Sequence, residues 1–431
     1  MDVDSVFTKK QQQYLLSPDA RINVLQGAVR SGKTYISLFK FSQKVRLSPP
    51  DSTYMFIALT SNTLKRNVLD VLLSIVGEDN LSYSMHNKDG WLFGHHILLE
   101  YAPDERAEQK IRGLTLDGAY CDELTLYPES FFSMLLSRLS KPKAVVYATT
   151  NPDNPMHWLK TNYIDREAEL NLKNWFFAID DNTFLDPQYI HDLKLEYTGV
   201  FYQRFILGQW VIADGLVYSA FDRATMCIDP PSDQQIMDEY AELYVSVDYG
   251  IQNPTAYLLG GWHKQKKEWH ILRDWKYGGR DGLVPKTDPE LYQELMRFAG
   301  PFDVKEVIID PSAESFAQLI HKDHYFKVRD ANNDVLKGIS FVNTCFHQYK
   351  LKVASCCKAL LDELWAYSWD TEKSRKTGID TVIKENDHLS DSLRYQMATI
   401  VMPKTRLYGI VKPTQDRISR NRSNRRAGSR R

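Results

Sequence analysis

The sequence predicts an α/β protein with two α/β domains. Up to about residue 150, strand-like and helix-like segments alternate, a pattern typical of a mainly parallel sheet with helices on both faces. From about 155 to 235 the pattern is less regular and includes a Pro-Pro break at 230–231. The alternation then restarts and ends with a helix around 387–401. We therefore predict a first domain over 1–180, a linker subdomain over 181–235, a second domain over 236–402 and a basic tail over 403–431.

Composition limits the class of protein. The 431 residues are 43% hydrophobic and 25% charged, values of a soluble globular chain long enough for two to three domains. No apolar stretch approaches the roughly 20 residues of a membrane-spanning helix, and Met-Asp-Val-Asp is not a signal-peptide start. The five cysteines, an odd number, do not resemble a disulfide framework. We expect a reducing cytoplasm and no membrane.

Charge is distributed unevenly along the chain. The net charge of −1 favours no class of partner, but residues 417–431 contain seven arginines and no acid. A block of this kind is usually disordered. It is either a solvated tail or a segment that contacts nucleic acid or an acidic partner.

The predicted elements of the first domain follow one another without long gaps. Strand-like segments lie at 21–27, 52–60, 95–102, 117–123 and 144–152, and helical segments at 32–45, 61–77 and 127–140. This order places three polar motifs at predicted strand ends, where the loops of a parallel sheet carry function.

The first motif is a phosphate-binding loop between a strand and a helix. The stretch GAVRSGKT fits G-x-x-x-x-G-K-[ST] and contains Gly27, Ala28, Val29, Arg30, Ser31, Gly32, Lys33 and Thr34. Backbone N–H groups of such a loop surround phosphate oxygens, Lys33 reaches the β- and γ-phosphates, and the Thr34 hydroxyl joins the Mg²⁺ shell. The alternative is a glycine-rich turn with an unrelated lysine. The motif predicts binding of ATP and Mg²⁺.

The second motif is an apolar segment that ends in two acids, Asp122 and Glu123. A P-loop enzyme needs a carboxylate near Mg²⁺ and a base for the attacking water. We predict the first role for Asp122 and the second for Glu123. A solvated turn after a strand is the alternative.

The third motif, Thr-Thr-Asn-Pro at 149–152, ends the next predicted strand. Its polar side chains, Asn151 among them, are candidates for sensing the γ-phosphate, and an Asn-Pro turn is the alternative. Three arginines are candidates for a positive charge near the phosphates. Arg112 would act on a neighbouring subunit, whereas Arg30 and Arg138 would act within the chain, and any of the three could be an ordinary surface residue.

In the second domain, acids recur at the ends of predicted elements. Strands are predicted at 242–250, 256–264, 267–277 and 305–312, with a helix near 288–299. Asp248 and Asp310 end two of these strands, and Asp387, His388 and Asp391 begin the closing helix. Converging carboxylates favour divalent cations between them, as in two-metal phosphodiester hydrolysis. We predict that Asp248, Asp310, His388 and Asp391 are metal ligands; singly, each acid could instead belong to a turn or cap a helix.

Three basic residues precede that helix. Lys373, Arg375 and Lys376 lie within 358–385, which is either a basic hairpin suited to a phosphate backbone or a solvated loop.

Taken together, the motifs resemble those of the large terminase subunit of tailed double-stranded DNA bacteriophages. The order matches from the N-terminus to about residue 400: P-loop, apolar-Asp-Glu, Thr-Thr-Asn-Pro, a linker, then acids in VSVDYG, IIDPSAES and DHLSD. The resemblance implies an N-terminal P-loop NTPase domain and a C-terminal ribonuclease H-like nuclease domain. It favours Arg112 as the arginine that acts on the neighbouring subunit.

The resemblance also implies function and partners. ATP hydrolysis would drive double-stranded DNA into a procapsid, and a nuclease with two Mg²⁺ or Mn²⁺ ions would cut concatemeric DNA at initiation and termination. Implied partners are a small terminase subunit, a portal protein and further copies of this chain, about five. The implied location is the cytoplasm of the infected bacterial host and not the mature virion. A DNA repair helicase-nuclease and a non-catalytic P-loop DNA-binding module are the alternatives.

Overall fold

The computed structural model describes residues 6–250, 253–278 and 285–405. The chain forms two compact units. Of the described residues, the N-terminal unit contains 6–190 together with 200–213 and 371–380, and the C-terminal unit contains 191–199, those within 214–370, and 381–405. Residues of the predicted linker subdomain therefore divide between the two units. The arginine-rich tail lies outside the described residues.

An eight-stranded sheet forms the centre of the N-terminal unit. Its strands are β1 (Ile22–Gly27), β2 (Thr53–Ala58), β3 (Leu81–Ser84), β4 (Asp89–Leu92), β5 (His95–Tyr101), β6 (Gly118–Cys121), β7 (Val145–Thr150) and β8 (Leu172–Phe177). Their order is β3-β4-β5-β2-β6-β7-β1-β8. All neighbours from β5 to β8 are parallel, whereas β3 and β4 add an antiparallel edge. Because β1, β6 and β7 are adjacent and parallel, their carboxyl ends meet at one edge of the sheet.

Apolar side chains cover both faces of this sheet, as expected for a parallel sheet between helices. The α-helices of this part of the chain are α1 (Lys9–Leu16), α2 (Lys33–Arg46), α3 (Ser61–Thr63), α4 (Asp70–Val76), α5 (Glu129–Arg138), α6 (Trp158–Asn162), α7 (Pro187–Glu196) and α8 (Gly199–Phe205). Short 3₁₀ segments occupy Glu78–Asn80, Glu105–Ile111, Leu124–Leu126, Ile164–Arg166 and Ile179–Asp181. A π-helical turn, Leu64–Leu69, joins α3 to α4.

A seven-stranded sheet forms the centre of the C-terminal unit. Its strands are β9 (Cys227–Ile228), β10 (Tyr240–Asp248), β11 (Thr255–His263), β12 (Glu268–Tyr277), β13 (Val304–Ile309), β14 (Val328–Asp330) and β15 (Leu351–Ala354). The order is β14-β13-β10-β11-β12-β15-β9. Strands β10, β11 and β12 form an antiparallel meander, and β13 pairs parallel to β10 with Val247 opposite Ile309. The residues after these two positions therefore lie side by side.

Helices pack against this second sheet. They are α9 (Arg223–Met226), α10 (Asp233–Glu239), α11 (Asp288–Ala299), α12 (Glu314–Asp323), α13 (Val335–His347), α14 (Lys358–Ala366) and α16 (His388–Gln396), and α15 (Thr371–Thr377) lies in the N-terminal unit. The predicted closing helix continues past α16 as a π-helical turn, Met397–Val401, and a 3₁₀ turn, Met402–Lys404. In the described ranges, every helix is too short or too polar to cross a bilayer.

The segment 371–380 completes the N-terminal unit although it comes from far down the chain. Its Asp380 is buried and pairs with the buried guanidinium of Arg204, which also contacts Asp153 at 2.6 Å. The Asn154 amide donates to the carboxylate of Asp380 at 3.2 Å and to the carbonyl of Ser374 at 3.1 Å. A buried ion pair with additional hydrogen bonds holds this segment in the unit.

Neither of the two predicted alternatives for Lys373, Arg375 and Lys376, a basic hairpin or a solvated loop, is correct. These residues lie on helix α15, and their side chains are exposed. Ser374 is the fully buried residue of this helix, and Gly378, directly after it, takes a φ of +69° where an added Cβ would lie 2.5 Å from the carbonyl oxygen of Met156.

Candidate active sites

The P-loop connects the end of β1 to the start of α2. Gly27 has a φ of +136°, and an added Cβ would lie 2.0 Å from the carbonyl oxygen of Phe177, so only glycine fits against β8. Gly32, with a φ of +86°, is the N-cap of α2. Thr34 is half-buried in the first turn, after Lys33. The predicted strand–loop–helix context of the motif is confirmed, and the helix N-terminus provides free N–H groups for an anion.

Lys33 is buried at the centre of this loop. Its ammonium donates to the carbonyls of Gly27 at 3.0 Å and Ala28 at 2.6 Å, and to the side-chain oxygen of Asn151 at 3.1 Å. Burial lowers the pKa of Lys33 to about 8, although the carboxylates of Glu123 and Asp122 act in the opposite direction. The ammonium of Lys33 therefore binds carbonyl and amide oxygens, which are hydrogen-bond acceptors as phosphate oxygens are.

Asn151 joins the P-loop lysine to the predicted base. While its oxygen accepts from Lys33, its amide nitrogen donates to both carboxylate oxygens of Glu123, at 2.9 and 3.0 Å. Its backbone N–H also donates to Glu123 at 3.3 Å. Glu123 adopts a left-handed φ of +57°, an uncommon backbone conformation for this residue type that is typical of functional sites. Three residues predicted from separate motifs therefore form one hydrogen-bonded chain.

Asp122 lies directly after β6 and is buried. The hydroxyl of Thr149 donates to one of its oxygens at 3.0 Å, and the amide of Asn67 donates to the other at 3.2 Å. Burial and the neighbouring Glu123 raise the pKa of Asp122 to about 7. Burial also raises the pKa of Glu123, against the effect of Lys33. A cation beside these carboxylates would favour their ionised forms.

Sequence reasoning missed Asn67. It lies in the π-helical turn between α3 and α4, where an extra residue alters the register so that Leu64 and Val68 are buried while Asn67 points to Asp122. Single π-helical turns occur frequently at functional sites. The interruption is not visible in a sequence that alternates as an ordinary helix.

The candidate arginines differ in their surroundings. Arg112 is exposed and pairs with Glu108 at 2.6 Å, whereas Arg138 donates to the hydroxyl of Ser137 at 3.0 Å. Arg30 lies in the P-loop with a φ of +58°, and its carbonyl accepts from the Asn182 amide at 2.7 Å. Which of them acts on a phosphate stays a prediction.

The second candidate site lies at the carboxyl ends of β10 and β13. Asp248 ends β10, Asp310 follows β13, and these strands are paired in parallel. The Tyr395 hydroxyl of α16 lies 3.5 Å from Asp248 Oδ1 and 3.3 Å from Asp310 Oδ2. The structure thus brings together two of the predicted carboxylates, and Tyr395 is a residue that sequence reasoning missed.

His388 and Asp391 approach from the start of α16. His388 Nδ1 lies 2.8 Å from Asp248 Oδ2. Asp391 is buried, with one oxygen 3.0 Å from the Arg394 guanidinium and the other 3.0 Å from the Lys384 ammonium. Lys384 also pairs with Asp387 at 3.1 Å. His388 therefore contacts Asp248 directly, whereas Asp391 is paired with two cations.

The electrostatics of this site differ between its two central acids. Burial raises the pKa of Asp248, and the charges of Asp391 and Asp387 add to this while the hydrogen bond from His388 opposes it. Burial also acts on Asp310, but hydrogen bonds from Ser312, Asn333 and Tyr395 outweigh it and lower its pKa. Burial alone would lower the pKa of His388, yet the adjacent Asp248 raises it.

These residues fit a hard divalent cation in part. Carboxylate oxygens are the donors that Mg²⁺ and Mn²⁺ take, and Asp248 and Asp310 present them side by side. Within 6–250, 253–278 and 285–405, no three His, Cys, Asp or Glu side chains are arranged around one point as a complete ion site. Asp391 would have to exchange Lys384 or Arg394 for an ion to act as the ligand we predicted.

Comparison with known proteins agrees with this geometry. Residues 24–225 match the sequence family described as terminase large subunit, T4likevirus-type, N-terminal. A solved large terminase from a thermophilic bacteriophage, in complex with ADP, is 34% identical, with a TM-score of 0.82 over 92% of this chain and 100% of that chain. This chain belongs to the phage large terminase family. The resemblance and the predicted α/β fold class are confirmed.

Two further comparisons place this large terminase among its relatives. The same thermophilic-phage protein in complex with ATP-γ-S is 33% identical, with a TM-score of 0.81 over 92% of this chain and 99% of that chain. The large terminase subunit of Escherichia phage T5 is 24% identical over 289 residues, 63% of this chain. That match spans 62% of the length of the T5 protein.

Proposed function

We propose that this large terminase is the ATPase and nuclease of a phage DNA-packaging motor. ATP hydrolysis in the N-terminal unit would drive double-stranded DNA into the procapsid, and the C-terminal unit would cut concatemeric DNA at initiation and termination. The observation that carries the proposal is the hydrogen-bonded chain Lys33–Asn151–Glu123 in the same polypeptide as the Asp248–Asp310 pair. The ADP and ATP-γ-S complexes of the thermophilic-phage relative support ATP as the nucleotide.

In the ATPase site each residue has one proposed role. The loop 27–34 binds the phosphates through its N–H groups, and Lys33 leaves its carbonyl partners for the β- and γ-phosphate oxygens. Thr34 and Asp122 would hold Mg²⁺, which neutralises phosphate charge when bound. Glu123 accepts a hydrogen bond from the attacking water and orients it toward the γ-phosphorus.

Asn151 would link the nucleotide to the rest of the motor. Its side chain bridges Lys33 and Glu123, so a phosphate that draws Lys33 away also removes one partner of Asn151. The preceding Thr149 and Thr150 contact Asp122 and Thr125, at 3.0 and 2.8 Å. Loss of the γ-phosphate would therefore change hydrogen bonds along the whole end of β7.

The arginine that reaches a neighbouring subunit is proposed to be Arg112, ahead of Arg30 and Arg138. Its side chain is exposed, and its partner Glu108 lies on the same surface segment. An exposed ion pair of this kind contributes little to stability, so the guanidinium can exchange its partner for a phosphate at small cost.

In the nuclease site we propose that Asp248, Asp310, His388 and Asp391 hold two Mg²⁺ or Mn²⁺ ions. The chemistry that such ions supply is acidification of the attacking water and neutralisation of the leaving oxygen. Tyr395 fixes the spacing of Asp248 and Asp310, and His388 orients Asp248.

The proposed partners follow from the same function. They are double-stranded DNA, a small terminase subunit, a portal protein and further copies of this chain in a pentameric ring. The proposed place of action is the cytoplasm of the infected bacterial host, not the mature virion.

Two substitutions separate the activities. Lys33→Ala removes the phosphate-binding ammonium and should stop ATP hydrolysis while Mn²⁺-dependent plasmid cutting stays within about twofold of the wild type. Asp248→Ala should abolish cutting and leave ATP hydrolysis unchanged. Phosphate release and plasmid nicking, measured on both variants, test this. Wild-type cutting by Asp248→Ala would disprove the nuclease site, and cutting only during strand unwinding would favour a helicase-nuclease.

A further inference from the structure

Helix α16 carries His388, Asp391 and Tyr395, yet its own N-cap residue does not cap it. Asp387 occupies the N-cap position without a side-chain hydrogen bond to the first turn. The N–H groups of a helix start need acceptors when they are buried, since an unsatisfied buried donor is destabilising. In this helix the first turn is buried at Leu389 and Ser390.

Glu363 of α14 supplies the missing acceptor. Its side chain is buried, with 3% of the residue exposed. Glu363 Oε2 accepts from the N–H of Leu389 at 2.8 Å and from that of Ser390 at 2.9 Å. A carboxylate at this end of a helix is also favoured by the helix dipole. The first turn of α16 is thus fixed by an acid 26 positions before Leu389 rather than by a local cap.

The other oxygen of Glu363 is anchored to the sheet. Lys276 of β12 donates to Oε1 at 2.8 Å, so the buried charge is paired. The same strand also fixes α14, because Asp274 accepts from the N–H of Leu360 at 2.9 Å. Strand β12 therefore anchors α14, and Glu363 of α14 anchors the first turn of α16, which begins at His388.

We propose that Glu363 is a positioning residue of the nuclease site. By fixing the first turn of α16, Glu363 positions the imidazole of His388 in contact with Asp248. It also positions the carboxylate of Asp391, which lies in the same turn. Among the described residues, the Glu363 carboxylate binds Lys276 and the N–H groups of Leu389 and Ser390 and makes no hydrogen bond to Asp248 or Asp310, so it acts through the backbone of α16. The inference rests on the proposed nuclease function of Asp248 and Asp310.

The test uses the full-length protein with Glu363→Gln, which keeps the size of the side chain but loses its charge and places an amide toward Lys276. We expect the Mn²⁺ concentration for half-maximal plasmid cutting to rise about tenfold or more, as for residues that orient metal ligands. Calorimetric titration with Mn²⁺ alone, without DNA, should show the same weakening. ATP hydrolysis should stay within about twofold of the wild type.

Three further variants make the outcome decisive. Ser232→Ala removes the N-cap of α10, a comparable helix start away from the site, and should leave Mn²⁺ binding and cutting unchanged. Lys276→Met removes only the Oε1 partner and should give a smaller effect of the same kind, which keeps the test valid if Glu363→Gln fails to fold. Asp248→Ala tests the proposed function independently.

The outcomes separate the two proposals. If Asp248→Ala abolishes cutting while Glu363→Gln and Lys276→Met bind Mn²⁺ and cut as the wild type does, positioning by Glu363 is overturned and the nuclease site stands. If Glu363→Gln and Lys276→Met lower the melting temperature equally while their Mn²⁺ affinity stays that of the wild type, the role of Glu363 is purely structural. This result would also overturn the positioning role. If Asp248→Ala cuts normally, the site and the positioning role fail together.

Discussion

At the scale of single residues, the ATPase site depends on side chains that are neither charged nor catalytic themselves. Asn151 contacts Lys33 and Glu123, and Asn67 contacts Asp122. An amide can donate and accept at once, so it can join an ammonium to a carboxylate without adding charge to a buried site. The neutral amides of Asn151 and Asn67 therefore hold the ionisable side chains of this site in position.

Asp122 should make the N-terminal unit less stable at neutral pH. Its pKa is about 7 in the folded protein against about 3.9 in an unfolded chain, so the folded state binds the proton more tightly. The stability that this proton contributes is fully present below pH ~4 and is lost as pH rises toward 7. Asp122→Asn should increase the free energy of unfolding by about 1–3 kcal/mol at pH 7.5.

The corresponding measurement is denaturant unfolding of Asp122→Asn and wild type at pH 7.5 and 4.5, without nucleotide. The difference should shrink at the lower pH, and the variant should not hydrolyse ATP. A variant that is less stable than the wild type at pH 7.5 would contradict the raised pKa.

Asn67 should affect catalysis more than stability. Asn67→Ala removes one of two donors to Asp122, and the rate of ATP hydrolysis should fall about tenfold, equivalent to ~1.4 kcal/mol in the barrier. Steady-state phosphate release checks this, with Asn80→Ala as a control on a surface turn, where the amide donates to the Val76 carbonyl at 2.9 Å. Unchanged turnover in Asn67→Ala would remove Asn67 from the site.

At the scale of elements, much of the core could be predicted and the edges could not. Strands β1, β2, β5, β6 and β7 are mostly apolar and bounded by turns, and β1, β6 and β7 also end at motifs, so the sequence pattern predicts them. The edge strands β3 and β4, of four residues each, and the three-residue β14 are too short for a periodic signal. Glu363 could not be recognised because an acid in a helix usually faces solvent.

The π-helical turn of Leu64–Leu69 gives a prediction at this scale. Deletion of Lys65 should convert it to regular α-helix, because a π turn is an α-helix with one residue inserted. Asn67 would then rotate by about 100° away from Asp122. The helix content seen by circular dichroism should not change, while ATP hydrolysis should fall as in Asn67→Ala. Wild-type hydrolysis after the deletion would exclude a role for the π turn.

At the scale of the whole molecule, the N-terminal unit is not continuous in sequence. It is completed by residues 371–380, and the buried Arg204 finds one of its two acids there. Sequence patterns gave no sign of this, because the ion pair joins residues 176 positions apart.

Loss of that acid should destabilise the unit. Asp380→Asn leaves Arg204 with only part of its countercharge, and breaking a buried pair costs about 3–5 kcal/mol. We expect a melting temperature several degrees lower for the N-terminal unit, measured by calorimetry in the presence of ADP. Asp79→Asn, at an exposed position of the same unit, is the control. An unchanged transition in Asp380→Asn would show that the pair is dispensable.

The position of residues 371–380 also bears on how the protein is made. A ribosome releases the P-loop, β6 and β7 long before it reaches Asp380, so the nascent chain holds an unfinished nucleotide domain during most of its synthesis. Arg204 lacks one of its acids until that late segment has been translated. Completion of the ATPase is thereby coupled to synthesis of almost the entire nuclease, and a truncated product would lack both.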